Sequence, residues 1–136
     1  MAQFVFQHLL GERGIAENYR VDSCAISREE LGNGLYPPAR KILNQKGIPC
    51  LAHTARQVTK QDYEKFDLLV AMEAHHITSL ARIFGGDRRN KCRLLLSFAG
   101  ENRDIEDPWY TGNFESVYND IEKGCKALLR TLEESD

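Results

Sequence analysis

Two short apolar runs, DLLVAM at residues 67–72 and CRLLLS at residues 92–97, constrain the fold more than any other feature of this sequence. Both runs have the length of a typical strand, and neither alternates strictly between polar and apolar residues. Uniformly apolar strands are typical of parallel sheets that are covered on both faces. The runs therefore predict two buried strands of a parallel sheet.

Segments with helical spacing of apolar residues lie around these runs. The predicted helices cover residues 1–10, 38–47, 74–84 and 114–132, and a further strand is predicted over 19–26. Strands that alternate with helices indicate an α/β fold in which helices cover both faces of a parallel sheet. Ligands in such folds bind beyond the carboxyl ends of the strands, so the loop after residue 97 is a candidate site.

The chain has 136 residues, which is the length of one domain, and we treat residues 1–136 as a single domain. Its net charge of −2 gives no basic surface for nucleic acid or an anionic membrane. The apolar runs are too short to span a bilayer. We therefore expect no nucleic-acid partner and no membrane association.

The four cysteines, Cys24, Cys50, Cys92 and Cys125, are widely and irregularly spaced. No Cys-x-x-Cys pair occurs, so the spacing indicates neither a zinc site nor a redox pair. Because no signal peptide is visible, we expect a cytoplasmic protein with reduced thiols. The sequence predicts no metal ion and no cofactor.

The stretch IEDPWY at residues 105–110 fits neither a helix nor a strand. Pro108 disfavours the α conformation at Asp107 and removes a backbone donor. One interpretation is an ordinary turn, in which Asp-Pro pairs are common. The other is a proton donor held beside an aromatic pocket, which the position after the last apolar run supports. The residues alone leave both interpretations open.

Four longer segments follow one another in order. They are RVDSCAIS at 20–27, EELGNGLYPPA at 29–39, HTARQVTKQDYEKFDLLVAM at 53–72 and IEDPWYTGNFESVYNDI at 105–121. Together they resemble the low-molecular-weight protein tyrosine phosphatases. The resemblance implies a three-layer fold with a parallel four-stranded sheet. It also implies hydrolysis of a phosphotyrosine protein, or of a small aryl phosphate, through a cysteinyl-phosphate intermediate.

The resemblance carries an expectation about the start of the chain. Members of this family begin with a parallel strand, then a Cys-x-x-x-x-x-Arg-Ser loop that binds phosphate, then the first helix. This sequence opens with the helix predicted at residues 1–10. We therefore expect an N-terminally truncated domain that lacks the first strand, the nucleophilic cysteine and the phosphate-binding arginine. Such a chain is expected to be inactive, and unstable because the sheet would be left with unpaired backbone groups.

The resemblance assigns a role to each of seven residues. Asp107 would be the general acid that protonates the departing phenolate and later activates water. Trp109 and Tyr110 would line the slot for the aromatic ring of the substrate. Glu30 and Asn33 match the variable loop at the rim of that pocket.

Ser23 and His53 match residues that hydrogen-bond the phosphate loop in this family. A structural interpretation stands beside four of these roles. Ser23 and His53 could form a satisfied polar pair inside the sheet, Glu30 could be a solvated surface residue, and Trp109 could be a partly buried surface aromatic.

One segment, Cys50-Leu-Ala-His-Thr-Ala-Arg56, does satisfy Cys-x-x-x-x-x-Arg. It has no glycine to let the backbone wrap a phosphate, and Gln57 follows the arginine where Ser or Thr is needed. The preceding QKGIP is not a buried strand, and the arginine does not open a helix. We interpret this segment as a chance match.

Three functional hypotheses remain. The first is a tyrosine phosphatase whose nucleophile loop is missing from residues 1–136. The second is a non-catalytic relative that binds partners through the former pocket. The third is an arsenate reductase of the same fold, which would need a relay of suitably paired cysteines that the spacing does not provide. The resemblance also implies a monomer or a weak dimer.

Overall fold

The computed structural model describes residues 1–24, 37–49, 56–105 and 113–134. Within these ranges the chain forms five α-helices, two β-strands and two 3-10 helices. The α-helices are α1 (Ala2–Glu12), α2 (Pro37–Gln45), α3 (Asp62–Lys65), α4 (Ala74–Phe84) and α5 (Phe114–Glu134). The strands are β1 (Leu69–Ala71) and β2 (Cys92–Leu94), and the 3-10 helices are Ala16–Asn18 and Leu95–Ala99.

The two strands pair in parallel, as the apolar runs predict. Leu69 lies opposite Cys92, and Ala71 lies opposite Leu94. The N–H of Leu69 donates to the carbonyl of Lys91 at 2.9 Å, immediately before β2. Helix α4 connects the two strands, so this part of the chain is a βαβ unit.

The two faces of β1 contribute to different hydrophobic clusters. Leu69 packs with Tyr63 and with Leu80 of α4. Val70 packs against a larger cluster that α1 and α5 help to form. Because successive side chains of a strand point to opposite faces, helices cover both faces of this sheet. The four-stranded sheet implied by the resemblance is not confirmed, since the described residues form a two-stranded sheet.

Helix α5 carries the apolar stripe that the sequence predicts. Val117, Ile121, Cys125 and Leu128 are buried at spacings of three or four residues, which places them on one face. This face packs against α1 and against the 3-10 helix Leu95–Ala99. The larger cluster is therefore closed by the last helix of the chain.

The predicted helix ends are partly confirmed. Helix α1 follows Met1 without a side-chain cap. Gly11 and Gly14, which follow the predicted helix, are both candidate stops in the sequence. Gly11 lies inside α1, so it is not the stop, whereas Gly14 turns the chain with a φ of 71°. Helix α4 has the predicted bounds and ends at Gly85, whose φ of 73° favours glycine.

Two strand predictions are corrected. Of the strand predicted over 19–26, residues 19–24 are described and none of them is in a strand. The carbonyl of Val21 instead accepts long hydrogen bonds from the side-chain amides of Gln3 at 3.5 Å and Gln7 at 3.4 Å. The run at 92–97 is a strand only over Cys92–Leu94, after which the chain turns into a 3-10 helix.

The middle of the chain follows its sequence signals more closely. Helix α2 begins at Pro37, one residue before the prediction, and ends at Gln45. The sequence Thr59-Lys60-Gln61-Asp62 places an acid three residues after a threonine, a pattern typical of a helix cap. Ahead of α3, the carboxylate of Asp62 accepts the N–H of Thr59 at 2.8 Å, as this pattern predicts. Among the described helices, none is both long and apolar enough to cross a membrane.

Candidate functional site

The carboxyl end of β1 is hydrogen-bonded to residues 104 and 105, which precede the predicted general acid Asp107. The N–H of Ile105 donates to the carbonyl of Met72 at 2.8 Å, and the N–H of Ala74 donates to Oδ1 of Asp104 at 2.8 Å. Ile105 is buried, so its hydrogen bond is shielded from water. Ile105, the last described residue before 106–112, therefore lies at the edge of the sheet where parallel α/β folds bind ligands.

Ser23 is the one predicted site residue that falls inside the described ranges. Its Oγ donates to Oε1 of Gln3 at 2.6 Å, and its N–H donates to Oδ1 of Asp22 at 2.8 Å. Ser23 is thereby held against the first turn of α1. The other predicted site residues lie outside the described ranges, and their roles stay predictions: Glu30, Asn33, His53, Asp107, Trp109 and Tyr110.

Arg56 lies between two carboxylates that sequence reasoning did not connect to it. Its guanidinium makes a two-pronged contact with Asp62, with Nη1 to Oδ2 at 3.0 Å and Nη2 to Oδ1 at 3.1 Å. Its Nε donates to Oδ2 of Asp22 at 3.2 Å. Two carboxylates around one guanidinium leave a net negative charge, which repels a phosphate. This geometry supports the interpretation of Cys50 to Arg56 as a chance match, although Cys50 itself is not described.

Asp62 is the most deeply buried charged group of this cluster, at 4% exposure. Burial raises the pKa of its carboxyl, but hydrogen bonds from Arg56 and from Thr59 outweigh burial and lower the pKa overall. The hydrogen bond to Asp62 also raises the pKa of Arg56. The pair is therefore ionised near neutral pH and fastens the segment around Arg56 to the start of α3.

None of the three described thiols is poised to act as a nucleophile. Although Cys24 is exposed as a residue, partial loss of water around its thiol raises its pKa, an effect that the charge of Arg56 only partly opposes. Burial raises the pKa of Cys92 to about 11 and that of Cys125 to about 12. A thiolate nucleophile needs the opposite shift, from a nearby cation or a helix N-terminus. Phosphoryl transfer through a thiol therefore has no activated group among the described cysteines.

The sequence matches the low molecular weight phosphotyrosine protein phosphatase family over residues 1–136. The chain belongs to this family. Known members are similar to this chain in both sequence and fold. It is 34% identical over 135 residues to the low molecular weight protein-tyrosine-phosphatase YfkJ of Bacillus subtilis, with 98% of this chain and 86% of the relative covered. It is 35% identical over 134 residues to the human low molecular weight phosphotyrosine protein phosphatase, with 95% and 84% covered.

The fold agrees with solved structures of the family. The crystal structure of YfkJ from Bacillus subtilis superposes with a TM-score of 0.95 at 33% identity, covering 99% of this chain and 86% of the other. The crystal structure of a Drosophila arginine phosphatase superposes with a TM-score of 0.84 at 28% identity, covering 99% and 90%. The α/β fold expected from the alternation of helices and apolar runs is confirmed at this level.

Proposed function

We propose that residues 1–136 supply the general acid and the substrate pocket of a protein tyrosine phosphatase, but not its nucleophile. The observation that carries this proposal is the match of the whole chain to the phosphatase family. Bacterial and human relatives that are named tyrosine phosphatases support phosphotyrosine as the substrate class. A small aryl phosphate presents the same ring and ester, so it is the practical test substrate.

The proposed chemistry is hydrolysis in two steps through a cysteinyl-phosphate. A thiolate attacks phosphorus while Asp107 gives a proton to the departing phenolate oxygen, and Asp107 then takes a proton from the water that attacks the phosphoenzyme. Trp109 and Tyr110 would hold the ring of the substrate. Glu30 and Asn33 would contact groups at the rim of the pocket.

The two remaining residues would support the loop that cradles the phosphate. Ser23 and His53 are proposed to hold that loop through hydrogen bonds. The observed bond from Ser23 to Gln3 supports a position beside the first turn of α1. The position of Ser23 beside the N-terminus of α1 suits an anion, since backbone N–H groups at a helix N-terminus point toward the ligand.

We propose further that the polypeptide of residues 1–136 does not turn over substrate by itself. These residues contain no Cys-x-x-x-x-x-Arg-Ser, and the described thiols have raised pKa values. Arg56, the arginine of the chance match, is occupied by Asp22 and Asp62. Both observations support a missing nucleophile.

Hydrolysis of p-nitrophenyl phosphate by the 136-residue polypeptide, with its mass verified, tests this proposal. We expect no turnover above the buffer rate. Turnover that disappears in the Cys50→Ser variant would contradict it and place the nucleophile at Cys50. A second polypeptide, with a strand and a Cys-x-x-x-x-x-Arg-Ser loop joined ahead of Met1, is expected to be active. In that form Asp107→Asn should lower kcat by about 10²–10⁴-fold.

The second candidate function is phosphotyrosine binding without catalysis. It is supported by the presence in the sequence of the acid loop and the aromatic residues that follow it. Titration of the 136-residue polypeptide with a phosphotyrosine peptide separates the two proposals. Saturable binding that Trp109→Ala removes would favour a binding protein. No peptide binding by the 136-residue polypeptide, together with activity of the polypeptide that carries the added loop, would favour the enzyme.

We propose a cytoplasmic localisation and an oligomeric state of monomer or weak dimer. Reduced thiols at Cys24, Cys92 and Cys125 fit that compartment. Light scattering coupled to size-exclusion chromatography over a range of concentrations measures the assembly. A tight dimer at the lowest concentration would contradict the proposal.

A further inference from the structure

Three side chains that commonly bind metal ions meet at the start of α4. Glu73 precedes the helix, and His75 and His76 lie in its first turn. One ligand atom from each of the three lies within 4.8 Å of the other two. Nε2 of His75 is 2.5 Å from Oε2 of Glu73, and the ring centroids of His75 and His76 are 4.2 Å apart. We call these residues the EHH cluster.

The donor set of the EHH cluster suits zinc. Two imidazoles and one carboxylate, with water in the fourth position, are a set that Zn²⁺ accepts in tetrahedral geometry. Ligand bonds of about 2.0–2.1 Å place neighbouring donors roughly 3.3 Å apart. The side chain of His75 is 66% exposed, so it can rotate with little obstruction from the core. Small rotations therefore bring the three ligand atoms to the spacing that the ion requires.

An ordinary helix end does not explain the cluster fully. A hydrogen bond between Glu73 and His75 needs no second histidine. Neighbouring residues of a helix do not normally face each other, yet the rings of His75 and His76 converge in the first turn. The convergence of both rings beside one carboxylate is the geometry expected for a shared ligand.

The partial charge at the N-terminus of α4 also affects cation binding. A helix N-terminus carries a partial positive charge, which opposes a cation. Two carboxylates offset it here, because Glu73 belongs to the cluster and Oδ1 of Asp104 accepts the N–H of Ala74 at 2.8 Å. The local charge therefore suits a divalent ion better than the helix end alone would.

We propose that the EHH cluster binds a divalent transition metal ion, with Zn²⁺ as the first choice for two nitrogen donors and one oxygen donor. The site does not overlap Arg56 or Ser23, and its occupancy does not depend on phosphatase activity. It is linked to the segment before residues 106–112 by two hydrogen bonds, Ala74 to Asp104 and Ile105 to Met72. Metal binding stiffens this segment, because the ligand Glu73 lies between Met72 and Ala74, which make these two hydrogen bonds.

Zinc titration of the whole chain by isothermal calorimetry tests the site. We expect one ion per chain in the wild type. His75→Ala, His76→Ala and Glu73→Gln should each weaken binding by at least about tenfold. His8→Ala is the matched control, because Nε2 of His8 also lies 2.5 Å from a carboxylate, that of Glu12, but belongs to no such cluster among the described residues. Cys24→Ser checks that the exposed thiol is not the zinc ligand.

Two results would overturn the proposal. They are the absence of saturable zinc binding to the wild-type chain, and binding that survives in the double variant His75→Ala/His76→Ala. A circular dichroism spectrum equal to that of the wild type verifies that each variant is folded. Hydrogen exchange tests the link to the loop: zinc should slow exchange of the Ile105 amide in the wild type and in His8→Ala. Unchanged exchange at Ile105 in zinc-bound wild type would contradict the stiffening.

Discussion

Gly124 of α5 lies so close to Leu95 that a Cβ atom added at Gly124 would sit 2.5 Å from Cγ of Leu95. Leu95 is 1% exposed and belongs to the larger hydrophobic cluster, so its side chain has little space to withdraw. The absence of a side chain at this helix position is therefore what allows α5 to approach the 3-10 helix Leu95–Ala99. Glycine in a helix interior is otherwise unfavourable.

Gly124→Ala is expected to destabilise the chain by about 1–3 kcal/mol, because the added methyl group overpacks a filled core. Gly11→Ala is the matched control. Gly11 also lies inside a helix, and a Cβ there would meet no atom within 4 Å. That substitution should stabilise the chain by about 0.5–1 kcal/mol. Urea denaturation measures both values, and equal effects of the two substitutions would show that α5 is not packed against Leu95.

Asp62→Asn is expected to reduce stability in a pH-dependent way. The folded pKa of Asp62 is lowered, so its contribution is complete above its ordinary pKa and disappears as pH falls through the folded value. Near neutral pH the substitution should cost about 2–3 kcal/mol, the size expected for hydrogen bonds to a charged group. The cost should shrink steadily in acid, below the ordinary value of 3.8.

Denaturation of wild type and variant at several pH values measures this cost. Asp67→Asn is the control, because Asp67 is exposed and its substitution should change stability by no more than about 0.5 kcal/mol. A cost at position 62 that stays constant from neutral to acid pH would contradict an ionised Asp62 paired with Arg56.

The described thiols are expected to react with iodoacetamide in the order of their exposure. Cys24 is exposed, whereas Cys92 is 5% and Cys125 is 1% exposed. Cys24 should be modified first, and faster as pH rises, because its pKa is raised. Cys92 and Cys125, with pKa values of about 11 and about 12, should react only when the chain unfolds. Peptide mass spectrometry measures the order, and equal rates for Cys24 and Cys125 without denaturant would contradict the packing of α5.

Sequence patterns predict the elements whose burial is set locally. Helix α5 has an apolar residue at every third or fourth position, and α4 ends at a glycine in the left-handed region, so both follow from nearby residues. The segment 19–24 has strand-like composition, but a strand also needs a partner, and the carbonyl of Val21 is bonded by glutamine side chains instead. The apolar run at 92–97 changes from strand to 3-10 helix after Leu94, a change that its uniformly apolar composition does not indicate.

In the candidate site, too, contacts between nearby residues follow from the sequence and contacts between distant residues do not. The link between Arg56 and Asp22 joins residues 34 positions apart, so no local pattern predicts it. The cap formed by Asp62 follows from the local pattern at residues 59–62, whereas its bond to Arg56 does not. The spacing of the cysteines indicates no metal site. The sequence signal for the metal site is Glu-Ala-His-His at residues 73–76, at the start of a helix that follows a buried strand.

The hydrogen bond between Ser23 and Gln3 is expected to show in a double-mutant cycle. Ser23→Ala and Gln3→Leu should have a coupling energy of about 0.5–1.5 kcal/mol, because Oγ of Ser23 donates to Oε1 of Gln3 at 2.6 Å. Gln7→Leu provides the matched cycle: its amide donates to the carbonyl of Val21, so its coupling to Ser23→Ala should be close to zero. Urea denaturation of the single and double variants measures both couplings. Equal couplings in the two cycles would mean that Ser23 is not held by Gln3, and the segment around Ser23 would then have to be fixed to α1 by other contacts.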